Sequence, residues 1–235
     1  MESIFDRLER IRERLAEAAA RSGRPPEAVE LLAVSKTFPG SSVREAMEAG
    51  QDLFGESRVQ EAEAKIPGLP SRLRWHFIGH LQGNKVRRAL SLFEAIHSIS
   101  SLDLARTVDR VAGELGLFPK IFLQANLARE SSKHGFTRDD FERDLEALLG
   151  LERVQIVGLM AIPPVRPDPE ESRADFAALR GLRDHLVARG GIPLPGLSMG
   201  MSDDFPIAIE EGATIVRVGS ALFGDRPEPE PGEVD

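Results

Sequence analysis

The sequence predicts an α/β protein: a single (β/α)8 TIM-type barrel with an extra N-terminal helix. Three observations point there. Eight short apolar segments alternate with helical ones. Several of those segments are apolar on both faces, which suits parallel strands covered on both sides. Eight βα units in about two hundred residues is also the arithmetic of a closed barrel. A doubly wound open sheet is the competing architecture, but no GxGxxG follows the first strand, which weakens a dinucleotide-binding version.

The elements follow in order. Residues 2–22 carry Ile4, Phe5, Leu8, Ile11 and Leu15 at helical spacing with charges between, an amphipathic helix ended by "SGRPP". The strands are expected at "ELLAVSK", "DLFGE", "RWHFIG", "EAIHSI", "KIFLQAN", "VQIVGLMAI", "GLSMG" and "ATIVRVG". Helices are expected at "SVREAMEAG", "SLDLARTVDRVAGELG", "RDDFERDLEALLG" and "EESRADFAALRGLRDHLVARG", and another begins near Asp203. "PPVRPDPEE" reads as a loop over one rim. The barrel is expected over residues 1–224 and a disordered, acidic, proline-rich tail over 225–235.

Composition narrows the function. The chain has 235 residues, 41% of them hydrophobic and 29% charged, as in ordinary soluble proteins. No apolar run reaches the length of a membrane span. The N-terminal stretch lacks the apolar region of a signal peptide, so a cytoplasmic location is expected. There is no cysteine, which removes disulfides, thiolate metal sites and thiol nucleophiles. A formal net charge of −8 argues against nucleic acid as partner. The local cluster Lys85, Arg87 and Arg88 reads as a solvated helix face.

In a barrel of this type, functional side chains gather at the C-terminal strand ends. Lys36 falls there after the first strand, Glu56 and Ser57 after the second, His80 after the third and Asn126 after the fifth. Ser198, Gly200 and Ser202 lie around the seventh strand; Arg217 is in the eighth, followed by Gly219 and Ser220. The loops after strands seven and eight commonly bind phosphate in such barrels. Free N–H groups and a helix dipole suit an anion there. The plain alternative is turn chemistry, with Ser202 or Asp203 as an N-cap.

A lysine amine condenses with an aldehyde, and a phosphate site on the opposite side of the barrel mouth would hold a phosphate group. Pyridoxal phosphate carries both. Arg217 would approach its pyridine nitrogen and keep it unprotonated, which makes a weaker electron sink than a carboxylate partner does. A metal-dependent hydrolase is a third reading, from His76 and His80 four apart. That pair lies on a strand running into a loop, and no carboxylate–histidine cluster accompanies it, so no metal is expected.

The stretches "AVSKTFP", "FGESRVQEA", "WHFIGHLQGNK", "IHSISS", "LQANLARESSKHGF", "GLMAIPP" and "LSMGMSDDFPIAIEEGATIVRVGSALFG" resemble the YggS/PROSC family of pyridoxal-phosphate-binding proteins, from about residue 30 to Gly224. The resemblance implies a fold like the barrel domain of alanine racemase, and a role in pyridoxal 5'-phosphate homeostasis with no established catalytic reaction. It makes Lys36 the Schiff-base lysine, Arg217 the pyridine-nitrogen partner, and Ser198, Gly219 and Ser220 phosphate contacts. The family usually reads Gly-Glu-Asn-Tyr where this chain has Gly55, Glu56, Ser57 and Arg58, and often has aspartate at Ser100. The alternative is a racemase-like enzyme. It needs a second base, which alanine racemase takes from a tyrosine of its other domain; this chain has no tyrosine. His80, Lys133 and His134 are the conceivable substitutes. The expected partners are apo forms of pyridoxal-phosphate enzymes. The expected assembly is a monomer or weak dimer.

Overall fold

The computed structural model describes residues 2–127, 134–164 and 166–225. Eight parallel strands close into a barrel in sequence order. They are β1 (Glu30–Val34), β2 (Leu53–Glu56), β3 (Arg74–Phe77), β4 (Ala95–Ile99), β5 (Lys120–Gln124), β6 (Gln155–Met160), β7 (Gly196–Ser198) and β8 (Ile215–Val218). Each lies within the segment expected of it, and the open-sheet alternative is excluded because β8 pairs with β1, Leu32 opposite Arg217.

The helices are α1 (Ile4–Arg21), α2 (Gly40–Glu48), α3 (Val59–Lys65), α4 (Val86–Leu90), α5 (Leu102–Leu115), α6 (Arg138–Leu149), α7 (Arg173–Gly190), α8 (Phe205–Glu210) and α9 (Ser220–Phe223). α1 starts on a capping box in which Ser3 and Asp6 satisfy each other's backbone N–H. It buries Ile4, Leu8, Ile11 and Leu15 and packs against α2, α8 and α9, across the seam where β8 meets β1. Phe5, expected on that apolar face, is exposed. α8 begins at Phe205, close to the expected start near Asp203; residues 202–204 form the turn before it, in which Asp204 Oδ1 accepts from Met201 N–H at 2.7 Å.

Strand alternation sorts the side chains into two cores. The larger lies between barrel and helices. The smaller fills the barrel with Leu32, Leu53, Phe122, Met160 and Ile215, flanked by Val34, Ile78 and Val157. Of the basic cluster, Arg87 and Arg88 lie exposed on α4 as expected, Arg87 pairing with Glu114 and Arg88 with Glu63, while Lys85 is half-buried in the turn before the helix. The expected tail lies outside the described residues except for Asp225, as do Val165 in the rim loop and Lys133. Among the described residues no helix is long and apolar enough to cross a membrane.

Candidate cofactor site

Lys36 lies in the turn after β1, two residues past Val34, and is half-buried. Leu32 and Val34 point into the barrel, so β1 delivers the chain to Lys36 from the barrel interior side of the wall. Its neighbours are tied down from outside the barrel wall. Ser35 Oγ donates to Glu56 Oε1 at 2.7 Å, Lys65 Nζ donates to Ser35 O at 2.9 Å, and Thr37 N–H donates to Glu61 Oε1 at 2.7 Å. Lys65 also donates to Glu56 at 2.7 Å and to Glu61 at 2.8 Å, so all three ammonium donors are engaged. Burial pushes the Glu56 carboxyl up, against the pull of Lys65. Thr37 is the one described non-glycine residue at positive φ, +69°. A β-branched residue there is strained, and the strain sits beside Lys36.

Arg217 points inward from β8 and is buried. It donates to Ser198 O at 2.8 Å, Ser198 Oγ at 2.7 Å and Ala161 O at 2.9 Å. Three of its five N–H donors are thus engaged, leaving two for an acceptor above it. Burial lowers its pKa to about 10, with Asp204 opposing, so it stays charged at neutral pH. Ser198 Oγ also meets His97 Nδ1 at 2.8 Å, and His97 Nε2 meets His76 Nδ1 at 3.0 Å. Ser198 is fully buried in this group rather than at the β7–β8 rim.

The rim hydroxyl is Ser202. Its Oγ accepts from Gly219 N–H at 3.3 Å, Ala221 N–H at 3.4 Å and Ser220 Oγ at 3.2 Å. Three donors therefore converge on one point at the long end of hydrogen-bond geometry, and none is saturated. Gly200 turns the chain from β7 toward Ser202. Its φ is +91°, and a Cβ there would stand 2.6 Å from the Ala208 Cβ. One expectation is corrected. Gly219 and Lys36 do not face each other across the mouth: a Cβ at Gly219 would lie 3.4 Å from the Val34 Cβ, because barrel closure makes the last strand a neighbour of the first.

The remaining rim residues are more dispersed. His80 stacks on His134 with centroids 4.1 Å apart, and burial lowers its pKa. His76 is in the barrel interior with His97, so the four-residue spacing does not bring His76 and His80 to one point. Among the described residues no three metal-ligating side chains cluster. The Ser57 backbone presses on Gly79, where a Cβ would stand 1.9 Å from Ser57 O. Ser100 lines a separate cleft with Asp103 and Arg143. Sequence reasoning missed Lys65 and Glu61. A lysine four residues after a glutamate reads as a surface helix pair, and nothing local reveals that α3 packs that pair behind β1.

The fold and site define a barrel of one class, that described as the alanine racemase N-terminal domain, whose family pattern matches residues 7–227. Within that class the chain belongs to the pyridoxal phosphate homeostasis proteins. It is 41% identical to the protein of that name from Aquifex aeolicus, over 94% of this chain and 97% of that one. Identity is 43% to the one from Pseudomonas aeruginosa, over 96% and 97%. Among solved structures, PipY of Synechococcus elongatus with PLP bound superposes with a TM-score of 0.80 at 46% identity, over 89% of this chain and all of that one. Alanine racemase from Corynebacterium glutamicum gives 0.71 at 16% identity, over 95% and 63%, and shares the fold.

Proposed function

We propose that this protein binds pyridoxal 5'-phosphate through Lys36 and serves its intracellular homeostasis, by storing, buffering or delivering it. The observation that carries the reading is the pairing of β1, which leads into Lys36, with β8, which holds Arg217 and leads into the Gly219 and Ser220 donors gathered on Ser202. The names of the relatives, and the PLP-bound PipY, support it.

The donor set fits the group. Bound pyridoxal phosphate supplies an aldehyde for a lysine amine and a ring that withdraws electrons. Here Lys36 is the amine, held by its pinned neighbours. Lys65 does not compete, since its three donors are engaged by Glu56, Glu61 and Ser35. The backbone N–H groups of Gly219 and Ala221, with the Ser220 hydroxyl, hold the phosphate, and Ser202 orients them. Arg217 donates one of its two remaining N–H groups toward the pyridine nitrogen. Ser198 acts on the cofactor through Arg217, and Gly200 sets the path of the Ser202 turn.

A homeostatic role without turnover is supported by the names of the relatives and by the chain's composition. Racemisation needs a second base on the other face of the substrate carbon, and the chain has no tyrosine. The relatives that are racemases match at the level of fold alone. Apo enzymes that use the cofactor are the natural recipients.

Borohydride reduction of the loaded protein, followed by peptide mass mapping, tests the site: a pyridoxyl group on Lys36 is expected, and one elsewhere overturns it. Lys36-dependent uptake of deuterium at an amino-acid α-carbon would replace the homeostatic reading with the racemase-like one.

A further inference from the structure

Ser35, Lys36, Thr37 and Phe38 form a turn closed by Phe38 N–H, which donates to Ser35 O at 3.1 Å. Lys36 and Thr37 are its second and third residues, and Thr37 is the only one of the four at positive φ, +69°. A positive φ at the third position alone marks a type II turn, where glycine or asparagine is the ordinary occupant. A type I turn would seat the threonine at φ of about −90° without strain. The two forms differ by turning over the middle peptide, between Lys36 and Thr37. The threonine by itself therefore favours the form that the structure does not adopt.

What holds the strained form is α3. The middle peptide gives Thr37 N–H to Glu61 Oε1 at 2.7 Å, and turning it over would point that N–H away from the carboxylate. The same oxygen accepts from Lys65 Nζ at 2.8 Å, and Lys65 also donates to Ser35 O at 2.9 Å. Glu61 lies in the first turn of α3 and Lys65 is its last residue, so one short helix grips the peptides on both sides of Lys36. A hydrogen bond to a charged group is of the same size as the strain of one such residue, so it can decide between the two forms. On its other side the turn rests on α9. The Phe38 ring packs against Phe223 with centroids 5.0 Å apart, in the helix that begins with Ser220 and Ala221.

We propose that Glu61, anchored by Lys65, is a positioning residue for Lys36: it locks the turn in its strained form and so fixes Lys36 relative to the donors of α9. Without Glu61 the turn has two peptide orientations to sample, and capture of the cofactor must then order it at a cost in affinity. The proposal rests on the reading of Lys36 as the cofactor lysine.

Proton NMR of the full chain without cofactor reads the turn directly. The type II form brings the Lys36 α-proton close to the Thr37 amide proton, whereas the type I form brings the two amide protons together. Wild type is expected to show the first pattern and Glu61→Ala the second. Glu61→Gln, which keeps an oxygen acceptor, should stay with wild type. Adding Thr37→Gly to Glu61→Ala should bring the first pattern back, because glycine takes a positive φ without strain. General damage to folding would not be repaired in that way. Persistence of the first pattern in Glu61→Ala, or its failure to return in the double variant, overturns the proposal. In the loaded protein, Glu61→Ala should lose pyridoxal phosphate about tenfold faster than wild type, the scale of the strain involved. The double variant should fall back to the rate of Thr37→Gly alone. An unchanged rate in a protein whose turn has changed form overturns the proposal as well. Because the turn is read without cofactor, a pyridoxyl group mapped to another lysine would refute the cofactor site and leave the turn result standing, which separates the two failures.

Discussion

Lys65 Nζ stands 2.7 Å from Glu56 Oε1, both side chains almost wholly buried, on the outer side of the strand end that carries Lys36. Removing one partner of such a pair leaves an uncompensated polar group, at a cost of about 3 kcal/mol. Lys65→Met is expected to lower unfolding free energy by that amount in urea titrations. The double change Lys65→Met with Glu56→Leu should recover most of it. A single variant as stable as wild type would mean the pair is not closed in solution.

Thr37 offers a test of strain. Its φ of +69° is poor for a β-branched residue and ordinary for glycine. Thr37→Gly should be neutral to about 1 kcal/mol stabilising once the entropy of glycine is set against the relieved strain. Looser placement of Lys36 should appear as faster loss of bound pyridoxal phosphate. A destabilised Thr37→Gly protein would show that the residue is not strained.

Acid stability follows from the interior histidines. The His76 pKa is about 4 in the folded chain against about 6.5 unfolded, and that of His97 is also depressed. A depressed pKa means stability that is full above the unfolded value and lost as pH falls through the folded one. Stability should therefore fall between about pH 6.5 and pH 4, His76 alone contributing roughly 3 kcal/mol. Glu56, shifted upward, acts the other way and loses its contribution as pH rises through its own raised value. Urea titrations from pH 7 to 4.5 should show the histidine slope, and His76→Phe should flatten it; an unchanged slope would place the acid sensitivity elsewhere.

Gly200 combines a φ of +91° with a 2.6 Å approach to Ala208. Gly200→Ala should cost about 2–3 kcal/mol through overpacking and backbone strain. It should weaken pyridoxal phosphate binding more than pyridoxal binding, because the turn it distorts aligns Ser202. Equal losses for both ligands would disconnect the turn from the phosphate.

Much of the rim was legible because strand-end positions follow from strand boundaries. Lys36, Arg217, Gly219 and Ser220 each sit at or beside the end of a strand that apolar patterning marks. Ser198 was legible as a strand residue but not in direction: alternation turns it into the barrel, so it meets Arg217 and His97 while Ser202 takes the rim. The helices α3 and α4, short and only partly apolar, carried too little periodicity to be expected beforehand.

By itself the sequence determined the barrel, because eight two-sided apolar strands separated by helices bury their faces best by closing on themselves. It also determined that a lysine ends the first strand and an arginine lies in the last. Only the tertiary structure decided that these two strands are neighbours, since closure is a pairing between the chain's most distant elements. It alone aligned Ser198, His97 and His76 into one chain of donors, because hydrogen bonds between inward side chains depend on the stagger of strands, which no local pattern records.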